Sequence, residues 1–326
     1  MRCLPDSYLY LGAACLDNMD GKPLCILVLG MAGSGKTTFV RRLQSELADA
    51  GKHVFCVNLD PAVRRVAFPA HIDICDSVNY KSLMQQYSLG PNGGILTALN
   101  LWATKIDQFI QILESKEGLD YILIDTPGQM EVFSWSASGT IIADALASSF
   151  PTALVYIADS VRCQDPNIFM SNMLYACSVY YKFRLPLMIA FNKADAQPVE
   201  TLLSWMQDYE IFQTALDRVA QETYLTTLNR SLSLVLDEFY KDLGAVGIAS
   251  VTGAGFPVLL QKLSACRDEY LRDYLPEMTR KQAEMKAAQT TSDLQRFQTD
   301  QQEDLSPITN LIAQLQVSRS ERTPPP

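Results

Sequence analysis

The sequence predicts an α/β fold in which a mainly parallel sheet is flanked by helices. Short apolar runs recur along the chain, and segments with helical periodicity separate most of them. Continuous apolar runs suit strands that are buried on both faces, and strands that alternate with helices pair in parallel because each helix crosses over the sheet. The predicted strands are LCILVLG (24–30), HVFCVNLD (53–60), YILIDTPG (121–128), TALVYIAD (152–159), LPLMIAFNKAD (185–195) and a weaker GAVGIASVTG (244–253).

Helical patterns and polar segments complete the predicted domain plan. Residues 36–50 predict a helix with one apolar stripe. Residues 200–242 predict a helical insertion, which either packs on the sheet or offers a client-binding surface. Residues 1–21 form a variable leader, and residues 276–326 form a polar, Gln-rich and partly disordered tail. The predicted central domain is therefore 22–275.

Composition and charge argue against several classes of protein. The chain has 326 residues, of which 48% are hydrophobic, and its net charge is −9 with a pI near 4.8. Such an acidic balance argues against direct binding to nucleic acid or to an anionic membrane surface. No apolar run approaches the ~20 residues of a membrane helix. The eight cysteines lack C-x-x-C spacing, which favours reduced thiols in a cytosolic or nuclear protein.

A phosphate-binding motif follows the first predicted strand. GMAGSGKT, from Gly30 to Thr37, matches G-x-x-x-x-G-K-[ST] between a strand and a helix. Backbone N–H groups and the helix dipole favour phosphates there, Lys36 bridges the β- and γ-phosphates, and the Thr37 hydroxyl binds Mg²⁺. The motif predicts a P-loop NTPase. Its predicted nucleotide-binding residues are Gly33, Ser34, Gly35, Lys36, Thr37 and Thr38.

A second motif begins at Asp125, which ends the strand YILID. A carboxylate at this place lies beside the P-loop and can hold Mg²⁺ through water. The D-x-x-G spacing predicts the Gly128 N–H near the γ-phosphate and the Gln129 amide beside the attacking water. Glu131 either helps to position that water or is a solvated carboxylate at the start of a helix.

Asp60 ends the strand that follows the first helix. The pair Asp-Pro often initiates a turn. However, strand ends on this side of a parallel sheet face the ligand crevice. We predict that Asp60 polarises the attacking water or helps to hold Mg²⁺.

A third motif, FNKAD, supplies Asn192, Lys193 and Asp195 at the end of another apolar strand. In N-K-x-D, the Asp carboxylate accepts two hydrogen bonds from guanine, and adenine cannot donate that pair. Sites built in this way can discriminate by factors on the order of 10⁴. The order P-loop, D-x-x-G, N-K-x-D therefore predicts guanine rather than adenine. GTPases usually carry Ser-Ala further on, with a backbone N–H to the guanine oxygen, but here the order is Ala249-Ser250. A backbone contact can survive this inversion, whereas a role for the Ser hydroxyl would move, and Ser250 is the predicted contact.

The stretch Gly90-Pro91-Asn92-Gly93-Gly94 consists of five turn-forming residues. By composition it predicts a surface turn. The alternative is a segment that enters a ligand site, since Asn92 offers both donors and acceptors.

The segments LVLGMAGSGKTTFV, NLDPAV, YSLGPNGG, IDTPGQMEVF, WSASGTIIADALASSFPT and FNKAD together resemble those of GPN-loop GTPases, over roughly residues 22–275. The resemblance implies GTP and Mg²⁺ as ligands and a homodimer or a heterodimer with a paralogue. It also implies that the loop of Gly90, Pro91 and Asn92 crosses a two-fold interface into the partner's nucleotide site, where Asn92 takes part in catalysis.

The P-loop sequence and the extended C-terminal tail are most similar to those of a eukaryotic subgroup that is associated with assembly and nuclear import of RNA polymerase II. This implies polymerase subunits as clients and a cytoplasmic protein that shuttles to the nucleus. Two alternatives remain: a P-loop kinase that acts on a small molecule, and a binding module with structural GTP. In the tail, Ile308, Leu311, Leu315 and Val317 have the spacing of a nuclear export signal or of an incidental amphipathic turn.

Overall fold

One sheet of seven parallel strands organises the described part of the chain, in the order β3-β2-β4-β1-β5-β6-β7. The computed structural model describes residues 19, 21–63, 66–218, 224–241, 243–280 and 283–284. The strands are β1 (Leu24–Gly30), β2 (Val54–Asn58), β3 (Ile72–Asp73), β4 (Tyr121–Asp125), β5 (Thr152–Asp159), β6 (Leu187–Asn192) and β7 (Gly244–Gly247). The predicted α/β fold with a mainly parallel sheet is confirmed.

Helices connect and cover the strands. They are α1 (Lys36–Asp49), α2 (Ile74–Ser77), α3 (Tyr80–Gln86), α4 (Pro91–Ala103), α5 (Ile106–Glu114), α6 (Met130–Ser134), α7 (Ala137–Ser149), α8 (Pro166–Phe183), α9 (Glu200–Gln207), α10 (Tyr209–Arg218), α11 (Tyr224–Lys241) and α12 (Phe256–Glu269). A 3-10 turn covers Arg162–Gln164, and a π-helical turn, Tyr270–Tyr274, follows α12. No helix in the described ranges is both long and apolar enough to cross a bilayer.

The core lies around β1, every residue of which is buried. On one face of the sheet, α1 and α12 pack together, and the rings of Phe39 and Phe256 lie 5.8 Å apart. Burial on both faces explains why the strand sequences are continuous apolar runs. Each large apolar side chain in this core contributes about 1.5–3 kcal/mol to folding.

Strand register brings the polar strand ends to one edge of the sheet. Asp125 pairs with Val28 and Asn58, and Asp159 pairs with Asn192. Because all the strands are parallel, their carboxyl ends share this edge, which is where ligands bind in such sheets.

The insertion contains α9, α10 and α11. Trp205 and Phe212 pack against Phe169 of α8, with ring centroids 5.2 and 5.5 Å from it. Leu234 and Val235 of α11 are exposed. The described residues of the insertion thus have a buried aromatic side and an exposed apolar one.

Several predicted boundaries were wrong. The predicted strands 121–128 and 185–195 end at Asp125 and Asn192. The first strand ends early because Pro127 has no N–H to donate to a neighbouring strand. The second ends because Lys193 has a left-handed φ of 70°, which is incompatible with a β-strand. The two-residue strand β3 was not predicted, because it is too short to show a period.

At Gly90–Gly94, where composition predicts a surface turn, the structure has the start of a helix. A helix, α4, begins at Pro91, because Pro is favoured at the first helical position, where its missing N–H costs nothing. Gly94 is buried in that helix, and an added Cβ would lie 2.8 Å from the Tyr80 ring.

The chain separates into two units at Leu275. The first contains the sheet. Of the second, the structure describes residues 276–280 and 283–284, which are helical. Most of the leader and the export-like pattern at 308–317 lie outside the described residues.

Candidate functional site

The loop between β1 and α1 is shaped by glycines. Gly30, Gly33 and Gly35 have φ values of 145°, 80° and 94°, a region that side chains rarely adopt. Space is also restricted at two of them: an added Cβ would lie 2.3 Å from the Ile157 carbonyl oxygen at Gly30 and 2.4 Å from Asn192 Nδ2 at Gly35. Glycine is therefore required at these positions by the backbone angles and, at Gly30 and Gly35, also by the lack of space.

Lys36 is buried at the start of α1. Its Nζ donates to the carbonyl oxygens of Gly30, Met31 and Gly128 at 2.8, 3.2 and 3.3 Å. Burial lowers the pKa of this ammonium, while three nearby carboxylates, led by Asp125, act in the opposite direction. Lys36 thus joins the glycine loop to the segment after β4.

Asp125 and Thr37 form a pair that fits a divalent cation. The Thr37 hydroxyl donates to Asp125 Oδ2 at 2.7 Å, whereas Asp125 Oδ1 is buried and has no hydrogen-bond partner among the described residues. Burial raises the pKa of the Asp125 carboxyl to about 6. A buried carboxylate oxygen without a donor, beside a hydroxyl, is the type of oxygen ligand that Mg²⁺ uses together with phosphates.

Asp60 holds the segment after β4 through its backbone. Its Oδ2 accepts the Gly128 N–H at 2.9 Å, and its Oδ1 accepts the Ala62 N–H at 2.9 Å. Asp60 is 8% exposed. Lys36 therefore binds the Gly128 carbonyl while Asp60 binds the Gly128 N–H. Each Asp60 oxygen thus accepts one backbone N–H and keeps a lone pair for either of the predicted roles.

Gln129 and Glu131 lie at the start of α6. Gln129 is exposed at the N-cap, and its side chain has no hydrogen bond in the described part of the chain. Glu131 is half-buried in the first turn and acts electrostatically on Lys36. Thr38, in the first turn of α1, is half-buried.

The Asn192 amide connects three segments. Its Nδ2 donates to the Ser34 carbonyl oxygen at 2.9 Å. Its Oδ1 accepts the Lys193 N–H at 2.9 Å, and from Ser250 it accepts both the N–H at 3.1 Å and the hydroxyl at 2.8 Å. With Ala249-Ser250 in this order, the Ser250 hydroxyl holds the amide of the third motif.

Lys193 links the third motif to the glycine loop. Its Nζ donates to the Gly33 carbonyl oxygen at 3.1 Å and to Asp159 Oδ2 at 2.6 Å. Asp195 lies two residues further on and is exposed, and its carboxylate has no partner among the described residues. That carboxylate is therefore available to a ligand.

Asn92 is exposed in the first turn of α4, and its side chain makes no hydrogen bond within the described ranges. The Tyr80 hydroxyl donates to the Pro91 carbonyl oxygen at 3.1 Å. Burial, and secondly the charge of Asp60, raise the pKa of Tyr80. The Asn92 side chain itself stays outside the hydrogen-bonded cluster.

The structure brings most of the predicted site residues into one hydrogen-bonded cluster, whereas the side chains of Gln129, Asp195 and Asn92 are exposed and make no hydrogen bond within the described ranges. The clustered residues are Gly33, Ser34, Lys36, Thr37, Asp60, Asp125, Gly128, Asn192, Lys193 and Ser250. Sequence reasoning missed Asp159, although an acidic residue that ends a buried strand between two motif-bearing strands is a usable signal. The arrangement can cradle a polyphosphate, hold a divalent cation and present a carboxylate to a base.

Comparisons with known proteins agree with this chemistry. A family model described as "Conserved hypothetical ATP binding protein" matches residues 28–269. The chain is 50% identical over 258 residues to GPN-loop GTPase QQT2 of Arabidopsis thaliana, which covers 79% of this chain and 68% of that protein. It is 45% identical over 314 residues to GPN-loop GTPase 1 of Schizosaccharomyces pombe, covering 94% and 83% of the two chains.

A solved structure shows the same architecture. It is the apo form of a GTPase from Pyrococcus abyssi, which is 25% identical and superposes with a TM-score of 0.65. The match covers 74% of this chain and 96% of that one.

We expect Asp60→Asn to destabilise the protein by about 1–3 kcal/mol, because one amide oxygen replaces two carboxylate oxygens, so that either the Gly128 N–H or the Ala62 N–H loses its acceptor. Urea unfolding without nucleotide measures the change in the free energy of unfolding. Asp165→Asn is the control, since Asp165 caps α8 by accepting the Asn167 N–H and Asn caps a helix equally well. An unchanged free energy for Asp60→Asn would contradict the Asp60–Gly128 contact.

Proposed function

Because the matches above show that this chain belongs to the GPN-loop GTPase family, we propose that it binds GTP with Mg²⁺ and hydrolyses it to GDP and phosphate as a dimeric switch. The observation that carries the proposal is the cluster in which the P-loop, the D-x-x-G segment and the N-K-x-D turn are hydrogen-bonded to one another.

Guanine is the proposed base, although the family model is described as ATP-binding. The support is Asp195, whose exposed carboxylate has no partner in the described part of the chain and lies next to the turn fixed by Asn192 and Lys193. A carboxylate accepts from both guanine donors, whereas adenine would leave it unpaired.

Mg²⁺ would be held by Thr37 and Asp125, with Asp60 as a further candidate ligand. When bound, it neutralises charge on the phosphates. The support is the donor set: the free Asp125 oxygen and the Thr37 hydroxyl adjoin the glycine loop.

Hydrolysis needs groups that orient water beside the γ-phosphate. Gln129 is free to turn towards the loop, and its neighbour Gly128 offers a backbone N–H to a phosphate oxygen once Asp60 releases it. Asp60 then has a carboxylate oxygen available to accept a proton from water. Glu131 adds negative charge near Lys36 and is the weaker candidate for positioning water.

A dimer is proposed because Asn92 is exposed in the first turn of α4 and makes no side-chain hydrogen bond within the described ranges, so that it is free to contact a partner. Pro91 fixes the start of that helix, so little conformational entropy is lost when the tip enters a partner site. The partner is a second copy or a paralogous chain.

The client and the cellular location are proposed from the family resemblance. RNA polymerase II subunits are the proposed client, with passage between cytoplasm and nucleus. The exposed Leu234 and Val235 on α11 offer an apolar surface for such a partner.

We expect Asp195→Asn to weaken GTP binding and to favour xanthosine triphosphate, because the 2-oxo group of xanthine accepts from the new amide. Competition binding and phosphate release with no acceptor added measure base choice and hydrolysis, and release without acceptor also excludes a kinase. Asp49→Asn, a change at an exposed residue in α1, is the control. An unchanged preference for GTP would refute the assignment of the base-reading carboxylate.

Asn92→Ala should slow hydrolysis by ~10²-fold, because one polar group near the transferring phosphoryl is lost. Stability should stay within about 0.5 kcal/mol, since the side chain is exposed. Asn100→Ala, exposed on the same helix, should leave the rate unchanged.

Mixing tests whether Asn92 acts in the partner. A Lys36→Ala chain loses its own phosphate site but keeps Asn92, so adding it to the Asn92→Ala chain should restore part of the activity. Mixed dimers that form and stay inactive would count against insertion into the partner.

Capture from a eukaryotic cell extract tests the client. The chain loaded with a nonhydrolysable GTP analogue and the chain loaded with GDP should retain different amounts of RNA polymerase II subunits, because a switch presents different surfaces in its two states. Lys36→Ala, with weakened nucleotide binding, should lose the difference. Absence of polymerase subunits from both samples would refute this client.

A further inference from the structure

We infer that Asp159 is a positioning residue for guanine nucleotides, which acts by holding Lys193 and so fixes the distance between the base-reading turn and the phosphate loop. This inference rests on the proposed function and adds to it a residue outside the three motifs.

Asp159 is built into the sheet edge. It ends β5, is 8% exposed and lies opposite Asn192 of β6 in the strand register. Its Oδ1 accepts the Val161 N–H at 3.1 Å, while its Oδ2 lies 2.6 Å from Lys193 Nζ. One oxygen is therefore fixed by the backbone and the other by an ammonium, so the carboxylate has a single orientation.

Lys193 spans the two ends of the site. Its backbone takes a φ of 70°, which directs the chain from β6 into the turn that carries Asp195. Its ammonium also donates to the Gly33 carbonyl oxygen at 3.1 Å. The side chain thus connects the base-reading turn to the phosphate loop, and Asp159 supplies the charge that holds it there.

The Asp159 carboxylate is needed to order the Lys193 side chain, which is only partly restrained by its other contacts. Its side chain is 39% exposed, and a lysine has four flexible bonds whose ordering opposes binding. Arg162 is a weaker partner of Asp159, with Nε 3.7 Å from Oδ2 and a 66% exposed side chain. Because Asp159 is nearly buried, its pair with Lys193 is less screened by solvent than a surface ion pair.

This restraint increases the affinity for a nucleotide only if the nucleotide contacts the phosphate loop and the base-reading turn at the same time. Phosphate binding at the loop and base binding at Asp195 add together when the two sites are already at the right distance. Loss of Asp159 should therefore weaken nucleotide binding and leave the hydrolysis step intact, since Asp60 and Gln129 belong to other strand ends.

The first test is Asp159→Asn in the full chain. An Asn oxygen can still accept from Val161, but the charge that holds Lys193 is lost. We expect the Kd for fluorescent GDP to rise roughly tenfold, the effect of one charge-assisted hydrogen bond. The KM for GTP should rise in parallel, kcat should stay within about twofold, and Asp159→Glu should recover part of the affinity. An unchanged Kd, or a fall in kcat with no change in Kd, would overturn the inference.

A double-mutant cycle tests whether Asp159 acts through Lys193. Added to Lys193→Met, Asp159→Asn should raise the Kd no further, because the group that it holds is already absent. An equal rise in both backgrounds would overturn the inference. Asp159→Ser, whose hydroxyl can also accept from Val161, takes its place in both experiments if Asp159→Asn does not fold.

Asp120→Asn is a matched control. Asp120 also pairs with a lysine and a backbone N–H, accepting from Lys52 at 3.1 Å and from His53 at 2.9 Å, but it precedes β4, at the other edge of the sheet. Its Kd for GDP should stay within about twofold of the wild type, and a rise equal to that of Asp159→Asn would overturn the inference. A wild-type chain that binds GDP no better than ADP would contradict the proposed function itself.

Discussion

The side-chain amide of Asn192 holds together three segments that are far apart in the sequence. Its nitrogen binds the Ser34 carbonyl of the phosphate loop, and its oxygen accepts from Lys193 and Ser250. The amide is buried, so each of these groups would cost about 1–3 kcal/mol if it lost its partner. The turn after β6, the loop after β7 and the phosphate loop are therefore held in one relative position, on which the proposed binding of a nucleotide depends.

The backbone of Gly128 is also held in place by side chains from other segments. Lys36 binds the Gly128 carbonyl and Asp60 binds its N–H. The Lys36 ammonium can bind a phosphate, and the Asp60 carboxylate can bind a cation. In this structure, however, each of them is hydrogen-bonded to the protein backbone. The residues proposed to bind phosphate and to act in catalysis thus also hold the segment after β4 in place.

The sequence was sufficient to predict those parts of the site that short sequence motifs define. The glycine loop, the strand that ends at Asp125 and the turn at Asn192 are each encoded within a few residues. Asp159 and the contact between Asp60 and Gly128 were not predicted, because they depend on which strands lie side by side. The helix that begins at Pro91 was not predicted, because composition favoured a turn and cannot show that Gly94 lies close to Tyr80.

Gly35 is subject to two independent demands, a left-handed φ of 94° and the nearness of Asn192. A residue such as Asn tolerates the backbone angle but still carries a Cβ, which would lie 2.4 Å from the amide nitrogen. Shortening residue 192 would relieve the crowding, but it would also remove the amide that holds Ser34, Lys193 and Ser250 together. In genetic terms, we expect reversion to be the main route of recovery from a substitution at Gly35, because a second-site change that relieves the crowding at residue 192 also removes its hydrogen bonds.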